Sequence, residues 1–337
     1  MISRTSLNKT RISQWLDIMR QLRPSVAAEA VDELIPWRYK FITASRDNRI
    51  VGVGTYYPTA SLIRGKFHYI ADLVVDSKYQ GKGVGTEMMR EIVDPTISYE
   101  LDSGLERIDA HHFYLSHGFL HTGYAVRPPV AVLMSIENLP QQLTYHIDGS
   151  QHLEAQGKNK LDQIQAFIDE HAGMNSAYQA NLQLFMINNS EHRLLLLQNE
   201  SGELEGLLLY ELQNRLCYGG NCFHVTDFIV KGGLGAAQRQ EALLLSLLQQ
   251  AKKTNLQDHF IKTIVVEMPE EDVQKHNILK SSRPITPHKD SISSNGKINI
   301  NSFLSVSAKH FVKVPPPSDK DKSRAESWYQ KRSPQLS

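Results

Sequence analysis

Three glycines spaced by single residues, Gly81, Gly83 and Gly85, lie between a strand-like run beginning at Asp72 (DLVV) and a helix-like run beginning at Val84. Glycine adopts positive φ without a Cβ clash and lets backbone approach a ligand closely. The N–H groups of a helix's first turn have no intrahelical acceptor, and with the helix dipole they form a seat for an anion such as a diphosphate. Hydrogen bonds to charged groups contribute roughly 1.5–3 kcal/mol each, so several such donors supply much of a cofactor's grip. The spacing is not that of a nucleotide-triphosphate loop, because no GK[ST] closes it. It is not the dinucleotide fingerprint either, since Thr86 stands where the third glycine belongs. It fits Gln-x-x-Gly-x-Gly, with Gln80, Gly83 and Gly85 as the fixed positions.

A second run with chemical potential is LDSGLERIDAHHFYLSHGF, Leu101 to Phe119. It reads as a strand end followed by a helix. Ser103 and Glu106 have capping-box spacing, Leu105, Ile108, Ala110 and Phe113 make an apolar face, and Gly118 stands where a C′ glycine stops a helix. Tyr114, one turn beyond Ala110, presents a hydroxyl from the same neighbourhood.

Together the two runs resemble the GNAT superfamily of N-acetyltransferases. Gln80–Gly85 after DLVV is similar to its pyrophosphate-binding motif. Leu101, Asp102, Ser103, Gly104, Arg107, Ala110, His111, Phe113, Tyr114, Gly118 and Phe119 fill every fixed position of a subgroup's L-D-S-G-x-x-R-x-x-A-H-x-F-Y pattern and its following G-F. The resemblance implies acetyl-coenzyme A as co-substrate. The backbone of Leu73, Val74 and Val75 would pair with the pantetheine arm. Gln80, Gly81, Lys82, Gly83, Val84, Gly85 and Thr86 would cradle the pyrophosphate, and Ser103 belongs to the same cofactor-binding set. By the same resemblance Tyr114 is the general acid to the departing thiolate; its other reading is a core tyrosine beside the cofactor. A phenol near pKa 10 protonates a thiolate whose conjugate acid lies near 8.5 only if the site stabilises the phenolate or the transfer is concerted.

The acceptor amine needs a base, because at a pKa of about 10.4 only about one part in 2,500 is neutral at pH 7, a deficit of about 4.6 kcal/mol. Asp72, Glu100 and His112 are the candidates, and Asp72 is taken as the catalytic one. His111, His112, His117 and His121 lack a firm carboxylate or cysteine partner, and no metal is expected. Cys217 and Cys222 are the chain's two cysteines, too few for a cysteine zinc site or a disulfide scaffold.

The elements that position these groups occur twice. DNRIVG before VGVGTYY, with FHYIADLVV after it, is answered by SGELEG before LLLYEL, with FHVTDFIV after it, so Asp72 and Asp227 hold matching places. Each set leads through a glycine-rich loop to a helix with a one-sided apolar stripe. In the first the stripe is Val84, Met88, Met89, Ile92 and Val93; in the second it is Leu243, Leu244, Leu247, Leu248 and Ala251. The expected fold is α+β: two tandem GNAT-like domains, each a mixed, mostly antiparallel sheet flanked by helices. Residues 1–138 form the acetyltransferase domain, 139–160 a linker, 161–314 a degenerate GNAT-like domain and 315–337 a disordered tail. The second copy loses the Gln-x-x-Gly-x-Gly register in KGGLGAAQRQ and has no tyrosine between Tyr218 and Tyr329. It is expected to bury the first domain's flank and help shape the amine site.

The chain has 337 residues, with 37 Lys+Arg against 36 Asp+Glu and a net charge of +1, which gives no support for nucleic-acid binding. No run reaches the roughly 18 apolar residues of a membrane span, and MISRTSLNKT is no secretory signal, so a cytoplasmic location is expected. The functional expectation is acetyl transfer to a primary amine, on a small molecule or protein, by direct attack in a ternary complex. The alternative is a non-catalytic acyl-coenzyme A sensor or scaffold.

Overall fold

The structure is a computed structural model, and it describes residues 2–4, 9–27, 29, 38–62, 65–127, 144–148, 158–171, 192–216, 220–255, 261–268, 279–280 and 305–314. The first half contributes β1 (Ile2–Arg4), α1 (Lys9–Leu22), β2 (Lys40–Arg46), β3 (Arg49–Ser61), β4 (Gly65–Val75), α2 (Val84–Ile92), β5 (Ser98–Gly104), α3 (Ile108–Ser116) and β6 (Leu120–Arg127). The second contributes β7 (Thr144–Asp148), α4 (Lys158–His171), β8 (His192–Gln198), β9 (Leu204–Arg215), β10 (Gly220–Val230), α5 (Ala236–Asn255), β11 (Ile261–Met268), β12 (Leu279–Lys280) and β13 (Ser305–Lys313). The run β1 to β5 with its two helices is repeated, element for element, by β7 to β11. The duplication seen in the sequence is therefore a duplication of structure.

The strands form one mixed sheet in the order β1-β2-β3-β4-β5-β13-β6-β11-β10-β9-β8-β7, with β12 beside β13. Most pairs are antiparallel; β4 with β5, β10 with β11 and the short β12 with β13 are parallel. The two halves share strands. β13, from the end of the second half, lies between β5 and β6 of the first, and β6 pairs in turn with β11.

Local chemistry explains these elements. Asp47 and Asn48, at φ 47° and 63°, make the two-residue turn between β2 and β3. Positive φ at both central positions is what a type I′ hairpin turn requires, and Asp and Asn tolerate it. The α2 stripe is buried as the spacing predicts: Val84, Met88, Met89 and Ile92 pack on Tyr56, Ile70, Tyr99 and Phe119. Gly52 of β3 admits Met88, whose Sδ would lie 2.6 Å from a Cβ at that position. On the opposite face α1 buries Trp15, Leu16, Ile18 and Met19 against Val53, Tyr57, Phe67 and Tyr69. The α5 stripe is likewise buried, from Leu243 to Ala251. The halves exchange core residues: Leu62 packs with α4 and β9, while Leu216 joins the α1 cluster.

Three local expectations are corrected. The stretch read as a linker contains an edge strand, β7, paired with β8. Ser103 does not cap α3: it lies within β5, and Arg107 is the N-cap with no side-chain cap bond. The buried face of α3 carries His111 and Tyr114, whereas Ile108 is 53 % exposed. The tail at 315–337 and Cys217 lie outside the described residues. Among the described residues no helix is long and apolar enough to cross a membrane.

Candidate active site

The site begins with a parting of two strands. β4 and β5 pair only at Phe67–Tyr69 with Ser98–Glu100. Beyond that, among the described residues, β5 stays bonded only to β13 on its other edge, while β4 continues to Val75 bonded only to β3. A bulge at Ala71, where Thr55 faces Asp72 and Tyr56 faces Ile70, bends β4 at the point of parting. Leu73, Val74 and Val75 thus lie on a strand with an open main-chain edge, the kind of edge to which an extended ligand adds as a strand.

That edge runs into the glycine loop. Asp76 accepts a bond from the Lys78 N–H and opens a 3-10 turn, Ser77–Tyr79, after which Gln80 donates back to the Val75 carbonyl at 3.0 Å. Gly81 and Gly83 have φ of 71° and 80°, and Gly83 is the N-cap of α2. A Cβ at either would meet nothing within 4 Å, so their need for glycine comes from backbone conformation and from the open space kept above the loop. The first helical bond joins the Glu87 N–H to the Gly83 carbonyl at 3.0 Å, which leaves the amides of Val84, Gly85 and Thr86 facing the loop. Gly85 is held differently, since a Cβ there would press on the Phe113 ring at 3.3 Å. Glu87 anchors the turn through Arg46 at 2.7 Å.

A cavity of about 220 Å³ fills the parting of the strands. Tyr114, Asp72, Leu73, Ser103 and Arg107 line it, joined by Arg215, Ser307 and Ala308 from the second half. Tyr114 is 8 % exposed and its ring contacts Phe113, Phe119 and Phe311. Its hydroxyl makes no hydrogen bond among the described residues. Burial pushes its pKa up to about 12, against the opposing pull of Arg107 and Arg23. α3 is stopped below it as the sequence indicates: Gly118, at φ 80°, donates to Leu115, and Phe119 donates to the Tyr114 carbonyl. These are the two bonds of a Schellman cap. His111 fixes the other end of α3 by its Nε2 contact of 2.9 Å with the Gly104 carbonyl.

Asp72 is buried and fully engaged, taking Arg23 Nε at 3.1 Å and the Thr55 hydroxyl at 3.0 Å. The other two base candidates lie apart from this cavity. His112 is exposed on α3, and Glu100 faces His310 across the sheet at 3.6 Å. The second-half counterpart of Asp72 follows an equivalent bulge, at Thr226. Its surroundings differ: Asp227 accepts the Ser61 hydroxyl at 2.6 Å and the Leu62 N–H at 2.8 Å, so the end of β3 occupies that position.

Sequence reasoning missed a buried polar row that crosses the shared sheet. Tyr69 donates to Asp102 at 2.7 Å, and His310 Nδ1 lies 2.9 Å from the other Asp102 oxygen. Glu267 follows, then His224 at 2.7 Å from it, then Glu211 and His192. Burial alone would lower the pKa of His310, but Glu267, Asp102 and Glu100 outweigh it and raise it to about 9. His224 is raised against the same burial by Glu211 and Glu267. Asp102, which burial alone would raise, is held below its usual range by His310. Arg215 stacks on Tyr69, its guanidinium carbon 4.1 Å from the ring centre, and donates to the Tyr57 hydroxyl at 2.6 Å. Asp102 stands inside the LDSG run, but its partner His310 comes from a strand 208 residues away.

Comparison with known proteins adds to this geometry. Residues 11–119 match the model of the acetyltransferase (GNAT) family. Two solved structures share the fold over nearly the whole chain. One contains the GCN5-related glucosamine N-acetyltransferase region of a fungal multi-domain GH3 β-N-acetylglucosaminidase (TM-score 0.53, 10% identity, 93% of this chain and 38% of that one). The other is a tandem GNAT protein from the clavulanic acid biosynthesis pathway (TM-score 0.50, 11% identity, 95% of this chain and 99% of that one). The chain thus spans well under half of the fungal enzyme's length. No curated protein is detectably similar in sequence.

Proposed function

Because residues 11–119 belong to the acetyltransferase (GNAT) family, within a tandem GNAT fold, we propose that the protein transfers an acetyl group from acetyl-coenzyme A to a primary amine. The observation that carries this reading is the parting of β4 from β5, with the glycine loop at one end and Tyr114 in its wall. The pantetheine arm adds to the open edge of Leu73–Val75. The pyrophosphate rests on the amides of the loop from Gln80 to Thr86, and Ser103 faces the cofactor from β5.

The chemistry is a direct attack in a ternary complex. The amine, neutral when it attacks, bonds through nitrogen to the thioester carbonyl carbon, the carbon–sulfur bond breaks, the thiolate takes a proton from Tyr114, and the proton shed by the nitrogen passes through water to restore the Tyr114 hydroxyl. Tyr114 suits this task only as a concerted donor, since at about 12 its pKa lies far above that of the thiol it must protonate. Arg107 and Arg23, which lower that pKa, supply the compensating charge. Asp72 is assigned a positioning role instead of proton abstraction, because its carboxylate holds Arg23 at the cavity wall.

The catalytic stretch is 1–138. The stretch 161–314 serves as a GNAT-like half without catalysis of its own: it lacks the tyrosine, and its Asp227 is covered by Ser61 and Leu62. Thiol release from acetyl-coenzyme A against a panel of amines, with wild type and Tyr114→Phe, tests the assignment. Turnover with at least one amine, lost in the variant, is expected. Coenzyme binding without turnover by any amine would instead identify a sensor.

A further inference from the structure

The polar row contains one place where its chemistry is incomplete. Glu100 of β5, Glu267 of β11 and His310 of β13 each offer a ligand atom, and the three atoms lie within 4.8 Å of one another. His310 is 4 % exposed and Glu100 1 %, so water does not screen them. His310 Nε2 makes no hydrogen bond among the described residues. It lies 3.4 Å from Glu267 Oε2 and 3.6 Å from Glu100 Oε2, longer than good N–H···O geometry. Donor atoms bound to one tetrahedral zinc ion at about 2.0–2.2 Å stand about 3.3–3.6 Å apart, so these are the separations expected along two edges of such a site.

Outer contacts orient the same atoms. The far ring nitrogen of His310, Nδ1, is bonded to Asp102, the carboxylate–histidine arrangement that fixes tautomer and ring direction in metal-binding histidines. Glu267 is oriented by His224, which bonds its Oε1 at 2.7 Å and leaves Oε2 turned to His310. The strand between β13 and β11 gives room for this: β6 presents Gly123 opposite His310 and Ala125 opposite Glu267.

We propose that Glu100, Glu267 and His310 bind a divalent transition-metal ion, zinc fitting the imidazole and carboxylate donors best, at the seam where the halves share strands. One ligand comes from the first half and two from the second, so the ion ties β5, β13 and β11 together across β6. Its role is structural, since these ligands are not among the residues lining the coenzyme cavity.

The test uses the full chain, stripped with a chelator and titrated with zinc chloride by calorimetry and thermal unfolding. The expected result is one ion per chain and a melting temperature that rises with zinc and falls on re-chelation. Glu267→Gln, which keeps the side chain's shape, should weaken zinc binding by about tenfold or more. Cobalt(II) supplies a readout that needs no variant: its absorption should be that of a four-coordinate ion, not the six-coordinate aqua ion. No zinc-dependent heat or melting shift in the wild type overturns the proposal. So do an aqua-type cobalt spectrum and unchanged affinity in Glu267→Gln, either of which would place the binding on surface histidines.

Discussion

Tyr114 combines two properties that pull in opposite directions: an apolar cage of three aromatic rings and a cavity wall carrying Arg107. The cage keeps the hydroxyl protonated, and on the proposed mechanism the arginines favour charge developing on it in the transition state. Removing the hydroxyl in Tyr114→Phe keeps the packing, so turnover should fall on the order of 10²-fold while coenzyme affinity stays within about twofold. Stopped-assay rates beside calorimetric affinities check this; equal losses in both would make Tyr114 a packing residue. The pH profile follows from the direction of its shift. A group with its pKa raised to about 12 remains a proton donor throughout the range in which the acceptor amine becomes neutral. Rates at saturating coenzyme should therefore climb with pH and show no descending limb from this group below about pH 10. A fall setting in near pH 8 would point to another acid.

Among the elements, the glycines were legible and the caps only in part. Gly118 is legible because a left-handed residue after a helix has a distinct sequence signal, and its φ of 80° completes the end of α3. Ser103 and Glu106 had capping-box spacing, yet β5 pairs with β13 as far as Gly104 and keeps Ser103 in a strand. That pairing is a long-range event, and it overrode a local preference. The exposed Ile108 and buried His111 have the same origin, since α3 packs on β13, and His111 stacks on Phe311 at 5.4 Å. Gly118→Ala should cost about 1–2 kcal/mol through its left-handed backbone, lowering the melting temperature by about 2–6 °C. Coenzyme affinity should not change, and differential scanning calorimetry with a binding assay separates the two effects. An unshifted melting temperature would mean that the cap contributes nothing.

At the scale of the whole molecule, the duplication was legible because strand, loop and helix patterns repeat in order, while the shared sheet was not. No local pattern records that β13 belongs between β5 and β6, or that Arg215 and His310 meet Tyr69 and Asp102. The division of the chain at 139–160 therefore separates the repeats in sequence but does not describe independent sheets. A chain ending at residue 304 loses β13, leaves β5 and β6 each with an open edge and strips His310 from Asp102. It should unfold without a cooperative transition or aggregate. A sharp melting curve near that of the full chain would show that the first half folds without it. The central claim concerns the loop before α2 and is tested most directly by isothermal titration of acetyl-coenzyme A into the full-length protein and into Gly83→Val. Saturable binding in the wild type, weakened by about tenfold or more in a variant that remains folded, is the expected result. No heat of binding in the wild type, or an affinity untouched by valine at position 83, would contradict it.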